Sequence, residues 1–399
     1  MHLKDFSLSA VVAGFLAVFV SFAGPVAIVF QAAKLANLPA DITSSWIWAI
    51  AMGSGVAGLL LSWRLRMPVL AAWSTPGAAL LVVSLPVVGI HQAVGAYLVA
   101  ALLVLALGLS GAFKLLLEHI PKGIIAAMLA GVLFNFGLQA FLSIQSSPTL
   151  GFGVLAAFLI GKRLAPRYAT ALAVLVGTAL ALAGGATHLG GVALSFATPV
   201  LIRPEWSWHA VFSVALPLAL VTLSGQHMPG LAVLTASGYQ PPARPIVALT
   251  GLVSLLMAPF GAHAINPSVI AASICTGSEA HEDPARRYVA GLAAGGLFLL
   301  IAVFGGTLAQ VMAALPKELV LTVAGLALVG SITTGLVGLV NHAGHRDASV
   351  ITFLVAASGM SLLGLGAAFW SLALGGAAYL VLHQRWGVKA RFAAARLRA

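Results

Sequence analysis

Apolar residues run along this chain in blocks of about 12 to 27, separated by short polar or basic stretches. The blocks fall at about 8–33, 44–62, 68–87, 90–109, 121–139, 149–161, 168–184, 208–228, 246–259, 264–275, 287–313, 319–340, 348–362 and 364–382. The pattern predicts an all-α polytopic membrane protein with about 14 transmembrane segments. Several blocks are shorter than the roughly 20 residues that a straight span requires. Short blocks suit broken or tilted helices enclosed by others, where freed backbone groups face protein or a cavity instead of lipid.

Two blocks contain a polar residue directly before proline: AAWSTPGAAL around Thr75-Pro76, and HAINPSVIAA around Asn266-Pro267. Thr and Asn are good helix N-caps, and proline is tolerated at the first helical position. Each stretch therefore predicts a helix that starts in mid-run after a few extended residues. Such a start presents free N–H groups and partial positive charge. Paired interruptions at corresponding places in two halves point to a transporter's binding site.

The longest interruption, 185–207, divides the chain into a first repeat at 1–184 and a second at 208–385, followed by a basic tail at 386–399. Seven segments per half is an odd number, so the second half enters the membrane from the opposite face, giving a 7+7 inverted repeat. SFAGPVAIVFQAAK in segment one and VTLSGQHMPGLAVL in segment eight each carry glycine and proline inside an apolar helix. Segments three and ten carry the two proline-associated starts.

Composition fixes the class. Hydrophobic residues make up 61% and charged residues 7% of 399, with a mean hydropathy of +1.06. The formal charge of +11 does not signal nucleic acid. With both termini cytoplasmic, seventeen of the 20 Lys and Arg residues lie on the cytoplasmic side, leaving Lys34, Arg203 and Lys317 opposite, as membrane topology predicts. The opening run MHLKDFSLSAVVAGF reads as a first spanning helix and not a removed signal. Cys275 is the single cysteine, which excludes an internal disulfide and a thiolate metal cluster.

The nine acidic residues all fall at predicted ends or loops. The usual carboxylate site for a cation or proton is thus missing from the spans, and a buried substrate cation would lack a counter-charge. An anion has no such need. Its candidate partners are Ser74, Thr75 and Gly77 at the first helix start, Asn266 at the second, and Gln226 in segment eight. Ser21 and Phe22 occupy the matching part of segment one, and Trp73 offers a ring to an aromatic ligand. His227 and His263 are candidates for proton coupling. Each has a plainer role open to it: helix cap, packing residue or interhelical link. No metal spacing, phosphate loop or nucleophile–base constellation occurs, so neither an enzyme nor a cofactor is expected.

These residues resemble the BenE family of bacterial benzoate membrane transport proteins. The resemblance rests on SFAGPVAIVFQAA, WSTPGAALL from Trp73, SGQHMPGLAVL from Ser224 and PFGAHAINPSVIAA from Pro259, and it spans about 5–385. It implies benzoate:proton symport across the bacterial inner membrane and the fold of the uracil, xanthine and sulfate carriers. In that fold segments 1–4 and 8–11 form a core domain and 5–7 and 12–14 a gate domain. Short extended stretches in segments 3 and 10 meet at the substrate. Nucleobase carriers of the fold commonly place glutamates on segments eight and ten. Here Gln226 stands in the first region and segment ten has no acid, which agrees with a carboxylate substrate. The alternatives are a carrier of another small anion or a nucleobase and, more distantly, an anion channel. The oligomeric state is open, with a homodimer among the options.

Overall fold

The computed structural model describes residues 5, 7–23, 25–113, 121–187, 190, 192–278, 280–341, 343–360, 362–363 and 365–383. The expected basic tail at 386–399 lies outside them. Apolar runs become helices because a bilayer offers the backbone no hydrogen-bond partner but itself. In chain order they are α1 (Leu8–Ala23), α2 (Pro25–Leu35), α3 (Ala40–Leu65), α4 (Thr75–Ser110), α5 (Lys122–Ser146), α6 (Pro148–Leu164) and α7 (Ala169–Ala183). The second half gives α8 (Trp208–Ala236), α9 (Ala243–Met257), α10 (Val269–Cys275), α11 (Tyr288–Val303), α12 (Gly305–Ala314), α13 (Lys317–Asn341), α14 (Arg346–Ala357) and α15 (Ala367–His383). Seven helices among the described residues are long and apolar enough to cross a membrane. The shorter ones supply the remaining crossings.

The block pattern is kept at Gly89 and departs from the helices at Phe304. Blocks 68–87 and 90–109 meet within α4 at Gly89, where φ is 72° and helical geometry is lost, so α4 is two helices joined at a kink, as the pattern expects. Glycine enters that region without the Cβ penalty. Block 287–313 divides into α11 and α12 at Phe304.

The packing repeats itself. Segment 2 (α3) lies along segment 11 (α11), and segment 9 (α9) lies along segment 4, the second part of α4. Exchanging each segment for the one seven later turns the first contact into the second. The pairs α6–α7 and α14–α15 are related in the same way. This is the architecture of an inverted repeat. The helices also sort into two packed groups: α1–α4 with α8–α11, and α5–α7 with α13–α15.

Glycine sets a close crossing between α4 and α9. A Cβ on Gly108 of α4 would fall 2.4 Å from the Ala248 nitrogen, and one on Gly251 of α9 would fall 2.6 Å from the Leu105 nitrogen. The two backbones therefore meet directly, as expected where dispersion and close approach hold helices together in lipid. Gly251→Val is expected to cost about 1–3 kcal/mol of stability through overpacking. The check is the melting temperature of the purified protein in detergent.

Between the halves, residues 192–207 run without regular structure across one end of the first group. The Ala197 N–H donates to the Val303 carbonyl at 2.9 Å, Ile202 to Pro259 at 2.8 Å and Glu205 to His91 at 3.0 Å. The connection thus ties helices from both repeats together.

Candidate functional site

Two three-residue strands meet inside the first group. β1 (Ala71–Trp73) pairs antiparallel with β2 (Ile265–Pro267), in the register Ala71 to Pro267, Ala72 to Asn266 and Trp73 to Ile265. The ladder continues one residue each way. Ser74 N–H donates to the Ala264 carbonyl at 3.1 Å, and Ser268 N–H to the Leu70 carbonyl at 2.8 Å. The strands satisfy each other's backbone groups where an isolated extended segment would leave them unpaired.

Helices α4 and α10 leave this ladder in opposite directions, and their caps correct the sequence reading. Ser74, not Thr75, is the first cap. Its hydroxyl accepts from the Gly77 N–H at 3.1 Å, which places Thr75 and Pro76 in the first helical turn. Ser268, not Asn266, is the second cap, accepting from the Ala271 N–H at 3.3 Å. Asn266 and Pro267 belong to β2, because the residue before a proline is held out of helical geometry. The symmetry mates are Ser74 and Ser268, and the two X-Pro pairs are not superposed.

A cavity of about 530 Å³ lies beside the ladder, between the two packed groups. Four of the candidates line it: Ser21, Trp73, Thr75 and Gln226. Ser268 lines it as well, together with apolar residues such as Pro76, Leu129 and Leu326. Among the described residues no aspartate or glutamate does. Ser21 is 6% and Trp73 2% exposed, yet neither the Ser21 hydroxyl nor the Trp73 indole N–H has a hydrogen-bond partner. Among the described residues the Thr75 hydroxyl and the Gln226 amide also lack a side-chain hydrogen bond. Buried polar groups are ordinarily paired, so a convergent set of unpaired donors marks a place built for a ligand.

The remaining candidates stand behind this wall. Phe22 and Phe298 meet the Trp73 ring edge-on at centroid distances of 5.3 and 6.1 Å and fix its orientation. Ser74 also receives a hydrogen bond from the Thr222 hydroxyl at 3.1 Å. Gly77 gives α8 room: a Cβ there would fall 2.6 Å from Leu218 Cδ1. Asn266 is fully buried; its amide N–H donates to the Pro267 carbonyl at 3.2 Å and its Oδ1 is unpaired. None of these four (Phe22, Ser74, Gly77, Asn266) lines the cavity.

The two histidines differ in their partners. His263 Nδ1 accepts from Trp46 Nε1–H at 3.2 Å, and its Nε2–H donates to the Ser74 carbonyl at 3.0 Å. Indole N–H can only donate and a carbonyl can only accept, so this pair fixes one neutral tautomer. His227 Nδ1–H donates to the Thr222 carbonyl at 3.1 Å, and its Nε2 lies 2.9 Å from the Thr250 hydroxyl. A hydroxyl serves as donor or acceptor, so His227 Nε2 is not restricted in the same way. Thr250 Oγ1 also lies 2.9 Å from the Ile246 carbonyl and 3.1 Å from that of Val247.

Gln226 and His227 point to different surroundings because neighbouring residues leave a helix about 100° apart, and α8 is locally underwound to a wider, π-helical turn at Leu223–His227. Pro229 has no N–H to give the Gly225 carbonyl, and the wider turn precedes it. Gln226 faces the cavity, whereas His227 is buried towards α9 through Thr250.

A model of the family described as benzoate membrane transport protein (BenE) matches residues 4–381. The chain belongs to that family. Among curated proteins it is 44% identical over 379 residues to the benzoate membrane transport protein of Acinetobacter baylyi, covering 95% of this chain and 96% of the relative. It is 41% identical over 383 residues to the inner membrane protein YdcO of Escherichia coli, covering 96% and 98%. Among solved structures, the transmembrane domain of the cyanobacterial bicarbonate transporter BicA superposes with a TM-score of 0.58 at 15% identity, covering 90% of this chain and 99% of that one. SLC26A9 gives 0.63 at 16% identity, covering 96% and 66%. These likenesses establish the fold, a 7+7 inverted-repeat transporter. Membership in a transport family makes the protein a multi-pass membrane transporter and not an enzyme.

Sequence reasoning missed Ser268 as the second cap, Thr250 as the partner of His227, and two lysines, Lys122 and Lys162, that line the cavity. A serine three residues before a small residue, as in Ser74–Gly77 and Ser268–Ala271, was the available signal for the caps.

Proposed function

We propose that the protein imports benzoate or a closely similar aromatic carboxylate across the bacterial inner membrane together with a proton. The observation that carries this is the unpaired donor set of Ser21, Trp73, Thr75 and Gln226 in a cavity that no aspartate or glutamate lines among the described residues. A carboxylate offers about four acceptor sites and no donor, the complement of that set. Apolar walls such as Pro76, Leu129 and Leu326 receive the ring. The volume of about 530 Å³ falls within the roughly 300–1,000 Å³ of small-molecule sites, with room for water beside one ring.

The proton resides on His227. In the neutral state the Thr250 hydroxyl donates to Nε2. After protonation Nε2–H donates to Thr250, whose hydroxyl turns to the Ile246 or Val247 carbonyl already within reach. Both states are hydrogen-bonded, so the cost of an unmade buried bond is avoided in each. His263 holds the Ser74 carbonyl and the strand crossing in place. Its donor-only partner Trp46 leaves no position for a second proton.

Anion and proton together carry no net charge through the field, which acts with about 2.3 kcal/mol per unit charge per 100 mV. The group α1–α4 with α8–α11 serves as the core and α5–α7 with α13–α15 as the gate, moving relative to each other around the cavity between them. Both termini are cytoplasmic, a reading that the distribution of basic residues supports.

The test is uptake of radiolabelled benzoate into sealed vesicles under an imposed pH gradient. Saturable accumulation that collapses with a protonophore, and that unlabelled uracil and sulfate do not compete away, is the expected result. Non-saturating flux, or competition by uracil or sulfate equal to that of benzoate, contradicts the proposal. Trp73→Phe keeps a ring between Phe22 and Phe298 but removes the N–H. It is expected to raise the half-saturation concentration about tenfold, equivalent to roughly 1.4 kcal/mol for one lost hydrogen bond to a charged group.

A further inference from the structure

The cavity has a second polar region that the benzoate site does not use. Lys122, the first residue of α5, and Lys162, in the last turn of α6, both line it and are both exposed. The Lys162 ammonium lies 5.8 Å from the centroid of the Phe158 ring, which lines the cavity too. Among the described residues neither lysine takes part in an ion pair, and none with a carboxylate lines the space they share.

Ordinary helix electrostatics does not account for the pair. A cation suits the C-terminal turn of α6, but at the N-terminus of α5 it meets the positive end of the helix dipole. Topology explains why basic residues gather at one membrane face, not why these two border a cavity. A low-dielectric cleft lined by one sign of charge concentrates the opposite ion. The Phe158 ring beside an ammonium offers an aromatic carboxylate a counter-charge and a ring contact together.

We propose that Lys122, Lys162 and Phe158 form an outer subsite that holds the carboxylate of the aromatic anion between the exposed end of the cavity and Gln226. This rests on the cavity being the benzoate site. With both termini cytoplasmic the two lysines lie on the cytoplasmic side, so during import the inner donors pass the carboxylate to the outer subsite on its way to release, and a ligand added at equilibrium reaches the inner donors by the same route in reverse. Because the ammoniums are hydrated and exposed, their attraction is sensitive to salt. The inner hydrogen bonds are not.

The experiment is equilibrium binding of radiolabelled benzoate to the purified full-length protein in detergent, at 10 mM and 300 mM sodium chloride. Screening lengths of about 30 Å and 6 Å bracket the subsite at those two concentrations. Wild type is expected to bind about three- to tenfold more weakly at high salt. The double variant K122Q/K162Q is expected to bind about three- to tenfold more weakly than wild type at low salt and to show little further salt dependence. K122R/K162R is expected to restore both properties. Comparable melting temperatures establish that the variants are folded. Equal affinities of wild type and K122Q/K162Q at low salt would overturn the outer subsite while leaving the inner one standing, as would a loss that is the same at both salt concentrations. Absence of benzoate binding by the wild type would overturn the cavity reading and the subsite with it.

Discussion

Replacing Gln226 with glutamate is expected to abolish benzoate binding while leaving the protein folded. The two side chains are nearly isosteric, and Gln226 makes no side-chain hydrogen bond among the described residues that the change would break. What changes is charge. A second carboxylate about 4 Å from that of the ligand repels it by about 4 kcal/mol at an effective dielectric constant near 20. The affinity should fall at least about 100-fold at neutral pH. Gln226→Ala removes the amide donor without adding charge, and its loss should be smaller, near tenfold. Titration with radiolabelled benzoate reads both. Equal effects of the two variants would mean that Gln226 contributes shape and not polarity.

Replacing His227 with alanine is expected to uncouple the two fluxes. Without an imidazole between Thr222 and Thr250, the candidate histidine left is His263, whose two nitrogens are committed to Trp46 and the Ser74 carbonyl. Accumulation against a gradient should fall at least about tenfold. Exchange of labelled for unlabelled benzoate across the membrane, which needs no net proton movement, should continue. H227A also opens a cavity against Phe113, 6.2 Å from the imidazole centroid, and costs packing. His227→Gln fills more of that space and donates to one of the two partners, so it should recover stability without recovering accumulation. Recovery of accumulation by His227→Gln would remove His227 from the proton path.

Much of this architecture is legible in the sequence because lipid leaves few alternatives for an apolar run. Most of the blocks correspond to helices, and residues 192–207 within the interruption at 185–207 run without regular structure. The meeting of segments three and ten was signalled by proline, since Pro76 and Pro267 both interrupt apolar blocks. The caps were displaced because one rule was applied to two different contexts. Proline follows the cap closely in Ser74-Thr75-Pro76 but precedes it in Asn266-Pro267-Ser268. Either arrangement satisfies local backbone chemistry, and only the pairing of Ala72 with Asn266 decides between them.

The site was partly legible for a similar reason. Polar residues inside apolar blocks stand out, which brought Ser21, Thr75 and Gln226 forward. Whether such a residue faces a cavity or a neighbouring helix depends on packing partners far away in the chain. Asn266 and Gln226 look alike as isolated polar residues, yet one is sealed in a strand and the other lines the open space. His263 and His227 look equally suited to a proton until their partners are known. Trp46, 217 positions from His263, is what separates them. Lys122 and Lys162 were hidden by their own topology, because basic residues at helix ends are expected on one face of any such protein.

The most direct measurement is a structure with 4-bromobenzoate bound, in which anomalous scattering locates the bromine and so orients the ring. The carboxylate is expected within hydrogen-bond distance of the Trp73 indole N–H and the Gln226 amide, with the bromine directed away from the strand crossing. A ligand seated outside the space between β1–β2 and α5, or one that presents its ring and not its carboxylate to Trp73 and Gln226, would contradict the account.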